Sequence, residues 1–247
     1  GESVEDPHAY YRNNCVGSLS VLNAMRKAGV TRLLFSSTCA TYGTPLTIPI
    51  DESHPQSPIN PYGWSKLIVE RMISDHVAAY GLGAVMLRYF NAAGADLDGL
   101  IGERHEPETH AIPLAIRSAI SGAPFRIFGR DFDTRDGTAI RDYVHVDDLA
   151  DAHLRALTYL TEHDEVAAFN LGTGEGTSVL DIVHAVERAS GKPLRYAVTG
   201  RRAGDPPVLV AAADKARDIL GWRTKYSKID DIVASAWRWH TRGDRSY

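Results

Sequence analysis

Two residues one helical turn apart carry side chains that could move a proton. Tyr62 and Lys66 lie four positions apart in the segment Asn-Pro-Tyr-Gly-Trp-Ser-Lys. On a helix, that spacing places both side chains on the same face. Lowering the pKa of a tyrosine from about 10 to about 7 takes roughly 4 kcal/mol. A lysine in a low-dielectric cleft, helped by a bound cationic ring, could supply that energy and make Tyr62 a general base.

Hydroxyl side chains precede this pair in the sequence. Ser36, Ser37 and Thr38 end a short apolar run that is typical of a strand. Ligands of open α/β sheets bind beyond the carboxyl ends of the strands. A hydroxyl at this position could donate to a substrate oxygen or relay a proton, and we assign that role to Thr38. Tyr-x-x-x-Lys pairs are common by chance on helices, so the hydroxyl-rich strand end that precedes the pair strengthens the interpretation.

Apolar strands alternate with amphipathic helices, which favours a parallel α/β sheet. The central strands are predicted at 31–37, 84–91 and 167–171, the first of them buried on both faces. They resemble half of a dinucleotide-binding sheet. Shorter strands are predicted at 125–128 and 143–146. Further helices are predicted at 113–121, from 147 to about 160, from 178 onwards, at 213–220 and at 229–241.

Two helices are expected to flank the first strand. The first spans 14–28, with Val21, Leu22 and Met25 on one face, and ends at Gly29, a frequent helix C-cap. The second begins at Asn60, a good N-cap, followed by Pro61, and ends near Gly81. Its residues Trp64, Ile68 and Met72 recur every four positions and predict one apolar face of the helix.

Composition excludes several classes of protein. The chain has 247 residues, a net charge of −4 and both signs of charge interspersed, so no basic face for nucleic acid is indicated. No apolar run reaches the roughly 18 residues of a membrane span. The two cysteines, Cys15 and Cys39, cannot build a disulfide framework, and a reduced, cytoplasmic setting is expected.

Two polar segments invite other interpretations. Glu103, His105, Glu106, Glu108 and His110 are possible metal ligands, but they lack the usual ligand spacing, so we predict solvated polar surface and no metal. The Gly-Thr-Gly-Glu-Gly run at 172–176 follows a strand and precedes a helix. Its spacing differs from a dinucleotide fingerprint and favours a tight turn.

A series of short motifs in one order resembles the extended short-chain dehydrogenase/reductase family, and within it the UDP-glucose 4-epimerase branch. The motifs include Tyr-Tyr-Arg-Asn-Asn at 10–14, Phe-Ser-Ser-Thr at 35–38, Arg-Tyr-Phe-Asn at 88–91 and Arg-Asp-Tyr-Val-His-Val at 141–146. The resemblance implies a Rossmann-like, doubly wound parallel sheet with its first β-α units missing. It also implies a smaller C-terminal substrate-binding lobe. The NAD-binding part would comprise 1–91 and 146–190, and the UDP-sugar lobe 92–145 and 191–247.

The resemblance also implies a reaction, the NAD-dependent epimerisation at C4 of UDP-glucose or UDP-galactose. Tyr62 would take the proton from the 4-hydroxyl while hydride passes to NAD, and Thr38 would assist. The 4-keto sugar would turn over and take the hydride back on its other face. The positions that match contacts to the cofactor are Asn13, Ser36, Ser37, Tyr62, Lys66 and Tyr89.

The resemblance places the UDP-sugar against Asn91, Phe128, Arg141, Arg202 and Asp205. Planar arginine forks suit a pyrophosphate, the Asp205 carboxylate can accept from hydroxyls, and Phe128 could flank the uracil. Two further substrate positions, His110 and Leu209, depart from some relatives. His110 stands where some relatives carry an asparagine that contacts the substrate. Leu209 stands at a position that some relatives use to limit the size of the sugar, so it is open whether N-acetylated sugars are bound.

Alternatives remain open at this level. A 4,6-dehydratase is disfavoured because Cys39 and Ala40, neither a useful acid or base, follow Thr38. Epimerases of UDP-xylose/arabinose or UDP-glucuronate are not excluded. The family begins with a Gly-rich NAD-binding unit, and roughly 85–90 residues, about three β-α units, would precede Gly1. The chain would then be an inactive fragment without its NAD anchor. The resemblance also implies a homodimer through the helices at 14–28 and 61–81.

Overall fold

The computed structural model describes residues 1–202 and 204–242, in which helices and strands alternate as predicted for an α/β protein. The helices are α1 (Glu2–Glu5), α2 (Pro7–Tyr10), α3 (Gly17–Ala28), α4 (Pro61–Tyr80), α5 (Ala111–Ser121), α6 (Val146–Glu162), α7 (Val179–Ser190), α8 (Asp214–Leu220) and α9 (Ile229–Thr241). The strands are β1 (Arg32–Thr38), β2 (Gly83–Tyr89), β3 (Asn91–Ala93), β4 (Phe125–Phe128), β5 (Ile140–Arg141), β6 (Tyr143–His145), β7 (Val166–Leu171), β8 (Thr177–Ser178), β9 (Tyr196–Thr199) and β10 (Val208–Leu209).

The three predicted central strands form one parallel sheet in the order β1-β2-β7. Thr38 pairs with Tyr89, and Tyr89 pairs with Leu171, so the three strands end together at one edge of the sheet. The prediction that the first strand is buried on both faces is wrong. Residues 33–36 of β1 are only half-buried on either face, and only Ser37 and Thr38 are buried.

Helix α3 is the last part of a longer helical segment. The chain is helical from Pro7, passes through a π-helical stretch at Tyr11–Val16 and ends at Gly29, whose φ of 68° is the expected left-handed C-cap. The predicted start at residue 14 is therefore too late. Leu22 and Met25 are buried as predicted, whereas Val21 is 53% exposed and does not share their face.

Helix α4 has the predicted ends but a different buried face. The Asn60 side chain accepts a hydrogen bond from the Gly63 amide at 2.8 Å, and Gly81 caps the other end. Val69 and Ile73 pack with Leu22 and Ala84 in a buried cluster. Trp64 and Ile68, predicted to share one apolar face of the helix, are 44% and 38% exposed.

The described chain divides into two compact units. Unit 1 comprises residues 1–90, 151–171 and 212–222, and unit 2 comprises the described residues of 91–150, 172–211 and 223–247. Helix α7 belongs to unit 2, although the expected boundaries place it with the NAD-binding part. The segment 212–222 belongs to unit 1, although it was expected in the other lobe.

Unit 2 has a core built by α5, α7 and α9 with β4. Helix α7 begins at a capping box in which Ser178 accepts from the Asp181 amide, as its sequence predicts. Strand β9 pairs in parallel with β4 and has no counterpart in the sequence analysis. Each of its four residues is exposed, although Tyr196, Ala197 and Val198 are apolar.

None of the helices in the described ranges combines the length and the apolar character that a membrane span requires.

Candidate active site

The end of β1 and the first turn of α4 bring Thr38 and Tyr62 together in unit 1. Thr38 is buried, and its side chain is hydrogen-bonded to Tyr62. Gly63 permits this approach, because a Cβ at that position would lie 2.5 Å from the Ala40 carbonyl oxygen. The predicted hydroxyl partner and the predicted base are therefore neighbours, and the glycine after Tyr62 has a steric role.

Burial is the main influence on Tyr62. It raises the pKa of the Tyr62 hydroxyl above its ordinary value, while the hydrogen bond with Thr38 lowers it. Tyr89 and Cys39 raise it further by charge repulsion with a phenolate. The protein alone therefore keeps Tyr62 protonated at neutral pH, and a base function needs an additional positive charge beside the ring.

Lys66 lies on the same side of α4, as the four-residue spacing predicts. Its Nζ donates to the backbone oxygen of Ser36 at 3.0 Å and lies 5.9 Å from the centroid of the Tyr62 ring. The Phe35 ring is 5.0 Å from the same nitrogen. Burial lowers the pKa of Lys66, which shows that the ammonium group sits in a poorly solvated position.

A buried ion pair, which the sequence does not predict, joins the same helix to β2. The guanidinium of Arg88 donates two hydrogen bonds to the carboxylate of Glu70, Nε to Oε1 at 2.9 Å and Nη2 to Oε2 at 2.6 Å. Ser37 Oγ donates to the same carboxylate at 2.5 Å, and Gln56 at 3.0 Å. The carboxylate thus ties α4 to the ends of β1 and β2.

This network corrects the prediction for Ser37. Its side chain is 1% exposed and bound to Glu70, so it faces the interior and has no surface left for a cofactor. In the sequence, Glu70 directly follows Val69, and both residues are buried in α4. The partner of a buried carboxylate, however, comes from a distant strand and cannot be read from spacing.

The network continues to the third strand. Arg88 Nη1 donates to the Tyr42 hydroxyl at 3.0 Å, which donates to Asn170 Oδ1 at 2.7 Å. Burial raises the pKa of Tyr42 to about 12, so this hydroxyl remains a neutral hydrogen-bonding link. Hydrogen bonds therefore join Tyr42 in the loop after β1, Arg88 on β2 and Asn170 on β7.

Two predicted cofactor contacts line one cavity of unit 1. Asn13 and Lys66 both border a cavity of about 400 Å³, together with Asn14, whose amide donates to Ser65 Oγ at 2.8 Å. A cavity of that size with an ammonium group and two amides is a reasonable fit for part of a dinucleotide. The polar groups present therefore suit the cofactor that the sequence implies.

The other two cofactor positions lie near an unpredicted histidine. Ser36 Oγ is 3.4 Å from His153 Nε2, and the rings of Tyr89 and His153 are 6.5 Å apart. His153 comes from α6 and completes a polar group at the carboxyl ends of β1 and β2.

In unit 2, three of the predicted substrate residues come together. Arg141 and Asp205 form an ion pair, and both side chains are largely buried. Leu209 lies directly beside Arg141, because β10 pairs with β5 in that register. The guanidinium therefore has one acidic partner and one apolar neighbour.

A second pair in unit 2 joins an arginine and an aromatic ring. The Arg202 guanidinium carbon lies 4.0 Å from the centroid of the Phe128 ring. Asn91 Nδ2 donates to the backbone oxygen of Asp142 at 2.9 Å. A planar cation stacked on an aromatic ring is an arrangement suited to a nucleotide base and its phosphates.

Asp142 itself organises the glycine-rich turn. Its carboxylate accepts from the Thr173 amide at 2.8 Å and from the Gly174 and Ala211 amides at 3.1 Å each. Burial raises the pKa of Asp142, and these hydrogen bonds oppose that rise. The amides of the turn are directed to a carboxylate of the protein, which agrees with a tight turn and not with a phosphate-binding loop.

The remaining predicted residue, His110, precedes α5 and contacts Glu103. The hydrogen bond to Glu103 raises the pKa of His110, and the same contact lowers the pKa of Glu103. Within unit 2, His110 therefore belongs to a cluster with acidic residues.

Comparison with families of known proteins gives one match over most of the chain. Residues 1–172 match the model of the NAD dependent epimerase/dehydratase family.

Individual relatives agree with that match. A UDP-glucose 4-epimerase of Rhizobium meliloti (strain 1021) is 55% identical over 243 residues, which are 98% of this chain and 74% of the relative. A crystal structure of UDP-glucose 4-epimerase from Brucella ovis in complex with NAD has a TM-score of 0.92 and 51% identity, covering 95% of this chain and 73% of its own. The enzyme from Bifidobacterium longum in complex with NAD+ and UDP has a TM-score of 0.92 and 41% identity, covering 98% and 73%.

Proposed function

Because the chain belongs to the NAD dependent epimerase/dehydratase family, we propose that it catalyses the NAD-dependent epimerisation of a UDP-hexose at C4, between UDP-glucose and UDP-galactose. The observation that carries this proposal is that Tyr62 has both the Thr38 hydroxyl and, 5.9 Å from its ring centroid, the Lys66 ammonium group as neighbours. The neighbours of Thr38, Cys39 and Ala40, offer no acid and base for the elimination of water, which disfavours a dehydratase.

NAD would supply a reversible hydride acceptor for C4 of the sugar. Asn13 and Lys66 would hold it, since they line one cavity, and the Ser36 hydroxyl and Tyr89 lie at the adjoining strand ends. Structures of relatives from Brucella ovis and Thermus thermophilus contain NAD.

Tyr62 would accept the proton of the sugar 4-hydroxyl and return it when the configuration at C4 has been inverted. Burial keeps its pKa high in the protein alone. A cationic ring beside Tyr62 would favour the phenolate and so confine the base to the loaded site. Thr38 would assist the proton transfer through its hydrogen bond with Tyr62. Lys66 would stabilise negative charge on the tyrosine oxygen.

The nucleotide portion of the substrate would occupy unit 2. Arg141 and Arg202 would bind the pyrophosphate, the Phe128 ring would flank the uracil, and Asp205 would accept from hydroxyls. Asn91 and Leu209 would contact the sugar, with His110 as a further contact. In this assignment the Arg141–Asp205 ion pair preforms the arginine fork before the ligand arrives.

A homodimer is part of the same proposal. Several large apolar side chains on α4 and on the helical segment that precedes β1 are exposed, among them Val16, Leu19, Trp64 and Ile68. These residues lie on the helices that the family resemblance assigns to the dimer. A second copy of the chain would cover them.

A cytoplasmic location agrees with the state of the thiols. The two cysteines of the chain, Cys15 and Cys39, are not joined in a disulfide. A reducing compartment suits such a protein. Fractionation of cells that produce the protein, followed by immunoblotting, tests this assignment.

The decisive experiment is an assay of the chain with NAD and UDP-galactose, in which UDP-glucose is measured by chromatography. We expect both sugars to approach one equilibrium ratio from either side, without net reduction of NAD. A panel with UDP-N-acetylglucosamine, UDP-xylose and UDP-glucuronate measures the range of substrates. No conversion of UDP-galactose by a chain that binds both UDP and NAD stoichiometrically would refute the proposal.

A further inference from the structure

We propose that Glu103, His105, Glu108 and His110 of unit 2 form a binding site for a divalent transition metal, with Zn²⁺ as the ion that suits it best. This inference does not depend on the proposed reaction. Their spacing along the chain matches no known ligand pattern and by itself predicts solvated surface.

The fold places the four residues around one point. One potential ligand atom from each lies within 4.8 Å of all the others. In a tetrahedral zinc site with bonds of about 2.1 Å, ligand atoms lie about 3.4 Å from one another. His110 Nδ1 is 3.4 Å and His105 Nδ1 is 3.7 Å from Glu108 Oε1. Only small side-chain movements would therefore complete the coordination shell.

Buried polar atoms without partners point to a missing ligand. The Glu108 side chain is 1% exposed, and its Oε2 has no hydrogen-bond partner among the described residues. His105 Nδ1 is likewise buried without a partner in the described chain. Buried carboxylates are costly unless they are paired or coordinate a metal. A cation between the Glu108 carboxylate and the His105 nitrogen would satisfy both atoms.

The other oxygen of Glu108 shows that this carboxylate is held in position. Glu108 Oε1 accepts from the backbone amides of Thr109 at 2.8 Å and His110 at 2.8 Å. These bonds fix the carboxylate against the segment that leads into α5. Such hydrogen bonds to a coordinating carboxylate orient it for the metal.

The charge of the cluster also favours a divalent cation. Two carboxylates face two imidazoles that must be neutral to bind a metal, so the ligand set carries two negative charges. Without an ion, the contact between His110 and Glu103 compensates one of them. His240 from α9 and Arg117 from α5 lie close enough to influence the cluster, and Arg117 itself is paired with Glu106.

The donor types select the class of ion. Imidazole nitrogen together with carboxylate oxygen suits Zn²⁺ and its neighbours in the first transition row, whereas Mg²⁺ and Ca²⁺ prefer oxygen alone. A bound ion would join the segment before α5 to the start of that helix. It would therefore fix His110, the residue that precedes α5.

The test measures metal binding to the purified 247-residue chain after treatment with a chelator. Zn²⁺ is titrated in competition with a chromophoric chelator, and Co²⁺ is titrated while its visible absorption is recorded. We expect one equivalent of Zn²⁺ and the intense d–d absorption of a tetrahedral Co²⁺ site. The His105→Asn and Glu108→Gln variants should each bind Zn²⁺ at least about tenfold more weakly.

A matched control lies inside the same segment. Glu106→Gln removes a carboxylate that is paired with Arg117 and lies outside the cluster, so it should bind Zn²⁺ like the parent chain. Circular dichroism checks that each variant keeps its helices. Substoichiometric binding, equal loss in Glu106→Gln, or equal affinity for Mg²⁺ and Zn²⁺ would each overturn the proposal.

Discussion

Arg88 and Glu70 form a two-pronged ion pair in the interior of unit 1, with Nε to Oε1 at 2.9 Å and Nη2 to Oε2 at 2.6 Å. Their side chains are 7% and 4% exposed. Arg88 belongs to β2 and Glu70 to α4, the helix that carries Tyr62 and Lys66. The helix and the sheet are thus fixed to each other one turn beyond the lysine.

Replacing Glu70 by glutamine should strongly destabilise the chain. It would leave the Arg88 charge buried without a counter-charge, and breaking a buried pair in this way costs about 3–5 kcal/mol. Denaturant unfolding measures the change in the free energy of unfolding. The control is Asp75→Asn on the same helix, where the exposed Arg71–Asp75 pair contributes about 1 kcal/mol or less. Similar losses in both variants would contradict a special role for the buried pair.

The Tyr62→Phe variant should lose about 10²–10⁴-fold in kcat, because it removes the general base while the ring remains. The measurement is the steady-state rate with UDP-galactose. A separate measurement of UDP affinity distinguishes an effect on chemistry from an effect on binding. Tyr80→Phe, at the exposed end of the same helix, is the control and should keep normal rates. Turnover near normal in Tyr62→Phe would rule out this residue as the base.

Thr38→Val should shift the pH dependence of kcat to higher pH. The hydrogen bond from Thr38 lowers the pKa of Tyr62, so its loss raises that pKa and the phenolate forms at higher pH. Rates rise as Tyr62 loses its proton, and the midpoint of that rise is the quantity to compare. Thr38→Ser keeps a hydroxyl and should retain the parent profile. Identical midpoints in the valine and serine variants would show that the hydrogen bond does not tune Tyr62.

Arg141→Lys should weaken the binding of UDP by about tenfold or more, since hydrogen bonds to charged groups contribute about 1.5–3 kcal/mol and a lysine cannot reproduce the planar fork. Isothermal titration of UDP measures the affinity. Arg126→Lys, on the exposed side of β4, should bind UDP as the parent does. An equal affinity in Arg141→Lys would remove this residue from the nucleotide site.

Trp64→Glu should convert a dimer into monomers, because it places a charge in the exposed apolar group of α4 and the neighbouring helical segment. Light scattering coupled to size-exclusion chromatography gives the mass. Leu154→Glu, the control, introduces the same charge at an exposed apolar residue of α6. It should remain dimeric, and a parent chain that is already monomeric would refute the dimer.

Helices and strands with a clear apolar pattern or a clear capping residue were predicted well from the sequence. Helix α9 at Ile229–Thr241 and strand β4 at Phe125–Phe128 have the predicted bounds. On α4, two rows of residues recur every four positions, one containing Trp64 and Ile68 and the other containing Val69 and Ile73. Periodicity alone cannot decide which row meets the sheet, and it is the row of Val69 and Ile73 that is buried.

The residues of the candidate site also differ in whether a local pattern predicts them. Thr38, Tyr62 and Lys66 could be predicted because each follows from a strand end or a helix spacing. The pairing of Glu70 with Arg88 depends on contacts between distant segments. The spacing of the Glu103–His110 cluster predicts solvated surface for a related reason, since an irregular loop brings its side chains together without a regular spacing.

Strand β1 also bears on how the reacting groups are held. It pairs in parallel with β2 from Arg32 to Thr38, and Thr38 is the last residue of that pairing. Because the Thr38 side chain is buried beside Tyr62, a change that loosens the end of β1 would separate the two hydroxyls. Loss of activity would therefore accompany fraying of this strand end, even where the rest of the sheet stays intact.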